Sequence, residues 1–234
     1  MSRVNHSLIE NLALKFRTMA GLSQNEPVHV KTLLVKMGVV VKYRPLSDNV
    51  FGLSLKTPDD RYRFVLVNSN TSRGRQHFTI GHELYHLYFD PMPQPHVCDG
   101  KERDKSEMDA NAFASYLLLP KEGIVAEIPS EELKRDAIRI GTVLRLEQIF
   151  SVSHEAMAYR LKHMGIISEA RLQDLLGLPI KDMAAAYGFD LSLYDNGNKN
   201  LLIGDYGEKL RELYDRGSIS EGHYMELHKH IYND

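Results

Sequence analysis

Apolar residues recur at helical spacing over residues 4–20, and Gly21 closes the segment. The stripe consists of Leu8, Leu12, Phe16 and Met19. Spacings of three and four residues place side chains on one face of a helix, so this segment predicts an amphipathic helix. A second helix is predicted over residues 27–37, with a proline at its start and Gly38 at its end.

Three segments that follow have the pattern of strands. Residues 39–43 are rich in β-branched side chains, residues 50–55 roughly alternate, and residues 61–68 alternate after a turn at residues 58–60. Short strands separated by turn residues are typical of hairpins and meanders. The pattern therefore predicts a small antiparallel sheet of three strands.

Two longer helices are predicted on either side of a proline-rich, charged segment. Residues 76–89 follow a polar loop that contains good N-cap residues, and residues 107–119 carry an apolar face that ends at Pro120. Three prolines after residue 90 forbid continuation of the first helix, and residues 99–106 predict a charged surface loop.

The second half of the chain predicts helices with one short strand. Residues 137–165 resemble a helix-turn-helix in which Ser153 caps the second helix. Beyond residue 177 the pattern predicts a helix, a tight turn at residues 195–198, a short strand at residues 201–203 and a helical hairpin joined at Gly217.

These elements predict an α+β fold that is mainly helical, with the small sheet beside the helix of residues 76–89. We expect a first domain over residues 1–128, a helical region resembling a helix-turn-helix over residues 129–177, and a small C-terminal module over residues 178–234. The C-terminal module is a candidate for partner recognition.

Composition limits the classes of function. The chain has 234 residues, 43% hydrophobic and 26% charged, with a formal net charge of −2, which does not predict a polyanion partner. No stretch approaches the roughly 20 apolar residues of a membrane span, so we expect a cytoplasmic protein with no membrane partner. A single cysteine, Cys98, excludes an internal disulfide framework. Any metal site must therefore depend on histidine and carboxylate ligands.

The sequence His82-Glu83-Leu84-Tyr85-His86 carries the clearest chemistry in the chain. Residues four apart share one face of a helix, so both imidazoles can reach a single metal ion. Glu83 lies beside the first histidine, where it can accept a proton from water at the metal. The motif therefore predicts two metal ligands and a general base.

A hydrolytic metal site needs a third protein ligand and one position for water. Most carboxylates that follow the motif lie where proline or charge predicts exposure to solvent. Glu107 differs because it begins a helix with an apolar opposite face, which would hold the carboxylate in place. Asn111, one turn further on, can hydrogen-bond a ligand and orient it.

Three segments of the chain together resemble a known family. Residues 75–86 read RQHFTIGHELYH, residues 107–114 read EMDANAFA, and residues 117–120 read LLLP. In this order they resemble the ImmA/IrrE family of bacterial zinc metallopeptidases, whose pattern is RxxFTxAHELGH, ExxANxFA and LLxP. A weaker resemblance continues to about residue 161, so that it covers roughly the first two-thirds of the chain.

The resemblance implies a set of site residues. Zn²⁺ would be bound by His82, His86 and Glu107, and Glu83 would be the catalytic carboxylate. The chain departs from the family pattern at Gly81, where alanine is common, and at Tyr85, where the family usually has glycine. Tyr85 is therefore a candidate for the substrate cleft, which it would narrow or supply with a hydroxyl group.

A peptide substrate can add to the edge of a sheet as an extra strand. Residues 61–68 are the predicted docking edge, with Arg61 and Arg63 as candidate cleft residues. The residue that stabilises the oxyanion stays open among five candidates, which are Tyr85, His96, Tyr116, His154 and Tyr159.

The family's role implies a substrate. A metalloendopeptidase of this kind would cleave a DNA-binding repressor of the helix-turn-helix class and so relieve repression of stress or mobile-element genes. The alternative is a non-proteolytic regulator that binds a repressor or DNA through the helix-turn-helix-like region. That region has a mixed face with both signs of charge, so direct binding of nucleic acid is not expected.

Overall fold

The computed structural model of the protein describes residues 4–90, 96–98 and 105–232. The helices are α1 (His6–Met19), α2 (Val30–Lys36), α3 (Arg73–Phe89), α4 (Lys105–Leu118), α5 (Lys121–Glu127), α6 (Ile140–Phe150), α7 (His154–His163), α8 (Glu169–Leu176), α9 (Ile180–Ala186), α10 (Tyr206–Asp215) and α11 (Glu221–Tyr232). The strands are β1 (Val39–Arg44), β2 (Gly52–Lys56), β3 (Arg63–Asn68), β4 (His96–Cys98) and β5 (Leu202–Ile203). The α+β class is confirmed.

Most of the predicted elements are present within a few residues of their predicted bounds. The second helix is shorter than expected, since only Val30–Lys36 of residues 27–37 is helical. The loop predicted over residues 99–106 lies largely outside the described residues, and Lys105 and Ser106 already belong to α4. Among the described helices, none combines the length and apolar character that crossing a membrane requires.

The sheet differs from the prediction in size and direction. Its strand order is β4-β2-β3-β1-β5, and β1 pairs with β3 in parallel, with Val39 opposite Arg63. The β2–β3, β2–β4 and β1–β5 pairs are antiparallel. The prediction of three antiparallel strands was wrong, because alternation identifies a strand but not its partner or their relative direction.

Strand β3 lies in the middle of the sheet and not at an edge. Its two neighbours, β1 and β2, use the hydrogen-bonding groups on both of its sides. The prediction that residues 61–68 form the docking edge for a peptide was therefore wrong. Among the described strands, β4 and β5 are the edges of the sheet.

The buried face of α1 is also shifted from the predicted stripe. Ile9, Ala13 and Phe16 are fully buried, whereas Leu8 and Met19 are 50% and 56% exposed. The inward residues have spacings of four and three, so the helical period was correct. Phe16 of the predicted stripe is buried, but Ile9 and Ala13 complete the buried face. Phe16 packs edge-on against Phe113 of α4, with ring centroids 5.7 Å apart, which joins α1 to the helix of Glu107.

The start of α3 is fixed from two sides. Ser72 caps the helix by accepting a hydrogen bond from the backbone of Arg75, and it forms an isolated bridge with Asn196. The side-chain amide of Gln76 donates to the carbonyl of Gly197 at 3.1 Å, and Asn198 donates back to Gln76 Oε1 at 2.8 Å. The predicted C-terminal module thus contributes both β5 and this contact to the sheet and helix that carry the motif.

Gly74, the second residue of α3, lies directly against the turn between α6 and α7. A Cβ atom at this position would lie 2.5 Å from the backbone nitrogen of Ser153 and 2.7 Å from the carbonyl carbon of Val152. We expect Gly74→Ala to lower the free energy of unfolding by about 1–3 kcal/mol, because backbone atoms cannot move aside as a flexible side chain can. Urea unfolding followed by circular dichroism measures this change.

Gly207 is the matched control for Gly74. It is also the second residue of a helix, α10, but a Cβ atom there would have nothing within 4 Å. Gly207→Ala should therefore leave the free energy of unfolding unchanged or raise it by up to about 1 kcal/mol through helix propensity. Equal effects of the two substitutions would contradict the close packing of α3 on the α6–α7 turn.

A buried polar network joins α6, α7 and α8. His154 Nδ1 lies 2.6 Å from Glu147 Oε1, and His154 Nε2 lies 2.9 Å from the carbonyl oxygen of Leu175. The hydroxyl of Tyr194 donates to Glu147 Oε2 at 2.8 Å. Because an imidazole donates from both nitrogens only when it is protonated, the geometry favours a His154–Glu147 ion pair.

This network predicts a pH dependence of stability. Burial alone lowers the pKa of His154, but the hydrogen bond to Glu147 and its charge outweigh burial, so the pKa is raised above its ordinary value. A raised folded-state pKa gives a stabilisation that is fully present below the unfolded value of about 6.5 and is lost as the pH rises through the folded-state value. In urea unfolding, the stability of wild type relative to His154→Gln should therefore fall as the pH rises above about 6.5. A difference that grows with pH would contradict the ion pair.

Candidate metal centre

Helices α3 and α4 bring two imidazoles and a carboxylate to one point. His82 Nε2 and His86 Nε2 lie 3.2 Å apart, and the Glu107 carboxylate oxygens lie 3.5 Å from His82 Nε2 and 3.8 Å from His86 Nε2. The three side chains offer ligand atoms that all lie within 4.8 Å of one another. Both histidines are buried, and Glu107 is partly buried.

The hydrogen bonds on the far side of each ring fix its tautomer. His82 Nδ1 lies 2.9 Å from Asn111 Oδ1, and His86 Nδ1 lies 3.2 Å from Asp90 Oδ2. A neutral imidazole that donates from Nδ1 carries its lone pair on Nε2. Two lone pairs and a carboxylate therefore point at the same volume, which is an arrangement that a bound cation stabilises.

The spacing of these donors fits a tetrahedral metal ion. Zinc at about 2.0–2.2 Å from nitrogen and oxygen ligands keeps neighbouring ligand atoms about 3.3–3.5 Å apart. The 3.2 Å between the two Nε2 atoms and the 3.5 Å from His82 to Glu107 are close to these values. Two histidines and one carboxylate leave a tetrahedral ion one further position.

Glu83 is fully buried on α3 beside His82, where α3 packs against β2. A Cβ atom on Gly52 would lie 3.2 Å from Glu83 Oε1 and 2.6 Å from Thr79 Cγ2. The absence of a side chain at Gly52 therefore lets α3 approach the sheet closely enough to enclose the carboxylate. The packing holds Glu83 in one place beside His82.

Cys98 is buried at the end of strand β4. Its sulfur, a ring nitrogen of His82 and a carboxylate oxygen of Glu83 lie within 4.8 Å of one another. The pairing of β4 with β2, which places Cys98 opposite Gly52, brings the thiol to this position.

Asp90 is a residue of the site that the sequence patterns did not single out. Its Oδ2 accepts from His86 Nδ1 at 3.2 Å and from the hydroxyl of Ser106 at 2.7 Å. The signal was present, because Asp90 lies four residues after His86, at the C-cap of α3. It was passed over because the prolines that follow predicted exposure to solvent.

Asn111 was predicted to orient a ligand, and the structure places its amide oxygen against His82 Nδ1. We expect Asn111→Ala to weaken zinc binding by about 10- to 100-fold, because His82 loses the acceptor that sets its tautomer and ring angle. Competition titration with a zinc chelator measures the affinity. Asn70→Ala, which removes an exposed amide remote in sequence from the donors, serves as the control and should bind zinc as wild type does.

A cavity of about 820 Å³ opens beside the metal centre. Its walls include His82 on α3, Asn111 on α4 and Cys98 on β4, so it reaches the metal centre at His82. Helix α7 forms a further wall through a face that includes Ala156 and Tyr159. The second helix of the region that resembles a helix-turn-helix therefore faces the candidate site.

Tyr85 does not line this cavity. It is 8% exposed and packs in an aromatic cluster, with its ring 5.7 Å from Phe113 and 6.0 Å from Phe89. Burial, followed by the charges of Asp109 and Asp90, raises the pKa of Tyr85 to about 12. The phenol is therefore neutral at ordinary pH. The assignment of Tyr85 to the substrate cleft stays a prediction, and the buried position of the ring does not favour it.

Arg61 lies in the turn before β3, and Arg63 is the first residue of that strand. Arg61 Nε is 2.9 Å from Asp59 and is mostly exposed, while Arg63 pairs with Asp60 and lies 4.4 Å above the ring of Tyr88. Neither arginine lines the cavity beside the metal centre. Their proposed role depended on β3 being an edge strand, so the central position of β3 removes its basis.

The five candidates for oxyanion stabilisation are only partly separated by the structure. Tyr116 and Tyr159 line the cavity, whereas both ring nitrogens of His154 are engaged in the buried network described above. The side chain of His96 lies outside the described residues. Of the two cavity tyrosines, Tyr159 is the more exposed, at 49%.

Two histidines and two carboxylates on a pair of packed helices, three of them able to hold a metal ion, are the arrangement expected of a metallopeptidase. The chain belongs to the peptidase M78 family, because the family model described as the IrrE N-terminal-like domain matches residues 35–162. That range contains every residue of the candidate metal centre.

One curated protein illustrates the relationship. The chain is 33% identical over 87 residues to "Uncharacterized immunity region protein 2" of Bacillus phage phi105. The match covers 35% of this chain and 53% of the phage protein, so the chain spans about half the length of the curated relative that it matches.

Proposed function

We propose that this protein is a zinc-dependent metalloendopeptidase in which His82, His86 and Glu107 hold the zinc ion and Glu83 is the general base. The observation that carries the proposal is the convergence of two Nε2 lone pairs and a carboxylate beside an open cavity. Histidine and carboxylate donors suit zinc, and three protein ligands are the number found in catalytic zinc sites.

Zinc, when bound, polarises a peptide carbonyl and acidifies a water molecule. Glu83 accepts the proton of that water on its carboxylate and later transfers it to the nitrogen of the departing peptide. Its burial between α3 and β2 keeps the carboxylate in place during both transfers. Asn111 and Asp90 hold the two histidine rings with their Nε2 atoms directed at the site.

The size and lining of the cavity suit a peptide substrate. Its volume of about 820 Å³ accommodates several residues of an extended chain, and its lining includes the apolar side chains of Phe78, Met108 and Ala112. A peptide in this cavity passes His82 and lies against α7. Residues 1–128 would therefore supply the catalytic groups, and residues 129–177 one wall of the cleft.

We further propose that the substrate is a DNA-binding repressor of the helix-turn-helix class, cut in the cytoplasm to relieve repression. Membership of the peptidase M78 family supports a protein substrate. The phage relative is named as an immunity region protein. The C-terminal module over residues 178–234 is a candidate for recognising the repressor.

The alternative is a regulator that binds a repressor or DNA without cutting it. One observation argues against DNA binding through α7. The face of this helix that would have to enter a DNA groove includes residues that line the cavity, among them Tyr159 and Lys162.

Incubation of the zinc-loaded protein with a helix-turn-helix repressor encoded by a neighbouring gene tests the proposal. Intact-mass analysis should show two fragments whose masses sum to that of the repressor plus one water. Removal of zinc by a chelator should stop the cleavage, and zinc should restore it. Stable binding of an uncut repressor, with derepression in cells, would instead support the non-proteolytic alternative.

A further inference from the structure

The end of the cavity remote from the metal donors carries cationic side chains. Among the described residues that line the cavity, Arg75, Arg160 and Lys162 are cations and Glu155 is an acid. Arg75 pairs with Glu155 at 2.8 Å, and Lys162 pairs with Glu169 outside the cavity. Arg160 differs from the other two because it is buried.

Arg160 is held in place without full compensation of its charge. Its Nε donates to the carbonyl of Leu119 at 2.9 Å, and its guanidinium lies 4.7 Å from the centre of the Tyr116 ring. Burial lowers the pKa of Arg160 even though Tyr116, Glu10 and Glu122 act in the opposite direction. An anion beside this guanidinium would therefore be stabilised more strongly than one at the surface.

A cluster of ring groups lies beside Arg160. The hydroxyl of Tyr116 is 3.0 Å from His6 Nδ1 and 3.0 Å from His163 Nε2, and the two imidazole centroids are 4.5 Å apart. The phenol has one proton, so it donates to one histidine and must accept an N–H from the other. The pKa of His163 is lowered by burial and then by His6 and Arg160, with Glu10 opposing them. The surroundings of His163 therefore disfavour a further positive charge.

The cavity connects this cluster with the metal centre along one face of α4. Met108, Asn111, Ala112, Ser115 and Tyr116 all line it. Nine residues separate Glu107 from Tyr116, which corresponds to about 13 Å along a helix axis. An extended peptide covers that distance in about four residues.

We propose that Tyr116, Arg160, Lys162 and His163 form an acidic-residue subsite, which binds an Asp or Glu side chain about four residues from the scissile bond of the substrate. The inference rests on the proposed peptidase function. A carboxylate suits these groups because guanidinium, ammonium and imidazole can all donate hydrogen bonds, and those from charged donors are the stronger ones. Tyr116 contributes by holding His163 in place through its hydroxyl.

Peptide selection by an inactive variant tests the subsite without requiring turnover. Zinc-loaded Glu83→Gln protein is immobilised and exposed to a proteome-derived peptide library, and the bound peptides are sequenced. We expect Asp and Glu to be enriched about threefold to tenfold over their abundance in the library. No enrichment, or enrichment of Lys and Arg, would overturn the inference.

Variants then assign the preference to these residues. In the Glu83→Gln background, the double substitution Lys162→Gln and His163→Gln, at two exposed positions, should abolish most of the enrichment. A folded Arg160→Gln variant should do the same. The matched control pair is Lys181→Gln and His223→Gln, which changes the same residue types at exposed positions outside the cavity and should keep the enrichment. Enrichment that persists without Lys162 and His163 would show that it arises elsewhere.

Turnover of the same library by the unsubstituted protein separates this inference from the proposed function. Cleavage with no acidic residue near the fourth position from the cut would overturn the subsite and leave the peptidase intact. Selective binding of acidic peptides without any cleavage would overturn the peptidase and leave the subsite.

Discussion

Glu83→Gln is expected to lower the rate of peptide cleavage by about 10²- to 10⁴-fold, the range that a positioned general base contributes. Glutamine has nearly the same shape as glutamate but cannot accept and return the proton. Because Glu83 is fully buried between α3 and β2, an isosteric replacement keeps the packing that a smaller residue would disturb. The variant should therefore fold and bind zinc as wild type does.

The measurement is the initial rate of cleavage of the repressor, or the rate at which new N-termini form in a peptide library, at equal zinc loading. Glu131→Gln, at an exposed position remote from the cavity, is the control and should retain full activity. Loss of activity together with loss of zinc would mean that Glu83 acts through metal binding. Retention of activity would contradict its role as the base.

His86→Ala is expected to abolish zinc binding and, with it, cleavage. The substitution removes one of the three donors and leaves His82 and Glu107, 3.5 Å apart, as an incomplete set. The zinc content of the purified protein should fall from about one ion per chain to near zero by atomic absorption. His29→Ala removes an exposed histidine outside the site and should keep the full zinc content.

Stability provides a second readout of the same change. In wild type, zinc should raise the free energy of unfolding by about 4 kcal/mol when its free concentration is about 1,000 times Kd, because only the folded chain assembles the donors. A bound zinc ion also lowers the electrostatic repulsion between the two imidazole lone pairs and the carboxylate. His86→Ala should lose this zinc-dependent increase in thermal unfolding. An increase equal to that of wild type would place the zinc elsewhere.

Much of the candidate site could be read from the sequence because it depends on helical periodicity. His82 and His86 are four residues apart, as are Glu107 and Asn111, and each pair lies on one face of its helix. Periodicity also identified the helices that carry them, with Ser153 as the cap of α7. The third donor required a further argument, since it lies on a different helix.

The order and direction of the strands in the sheet could not be predicted from local patterns. Strands β1, β2 and β3 were recognised, but β3 proved to be central and parallel to β1. Alternation of side chains is the same in either direction and at either position in a sheet. The cleft roles given to Arg61 and Arg63 rested on the assumed edge, and they stay predictions without that support.

The sequence by itself predicted His82 and His86 as metal donors and Glu83 as the general base, because spacing along a helix decides which side chains share a face. Only the tertiary structure decided what surrounds them. It placed Asp90 behind His86, Cys98 beside His82, and α7 across the cavity from α4. These contacts depend on how separate elements pack together, and no periodicity within one element contains that information.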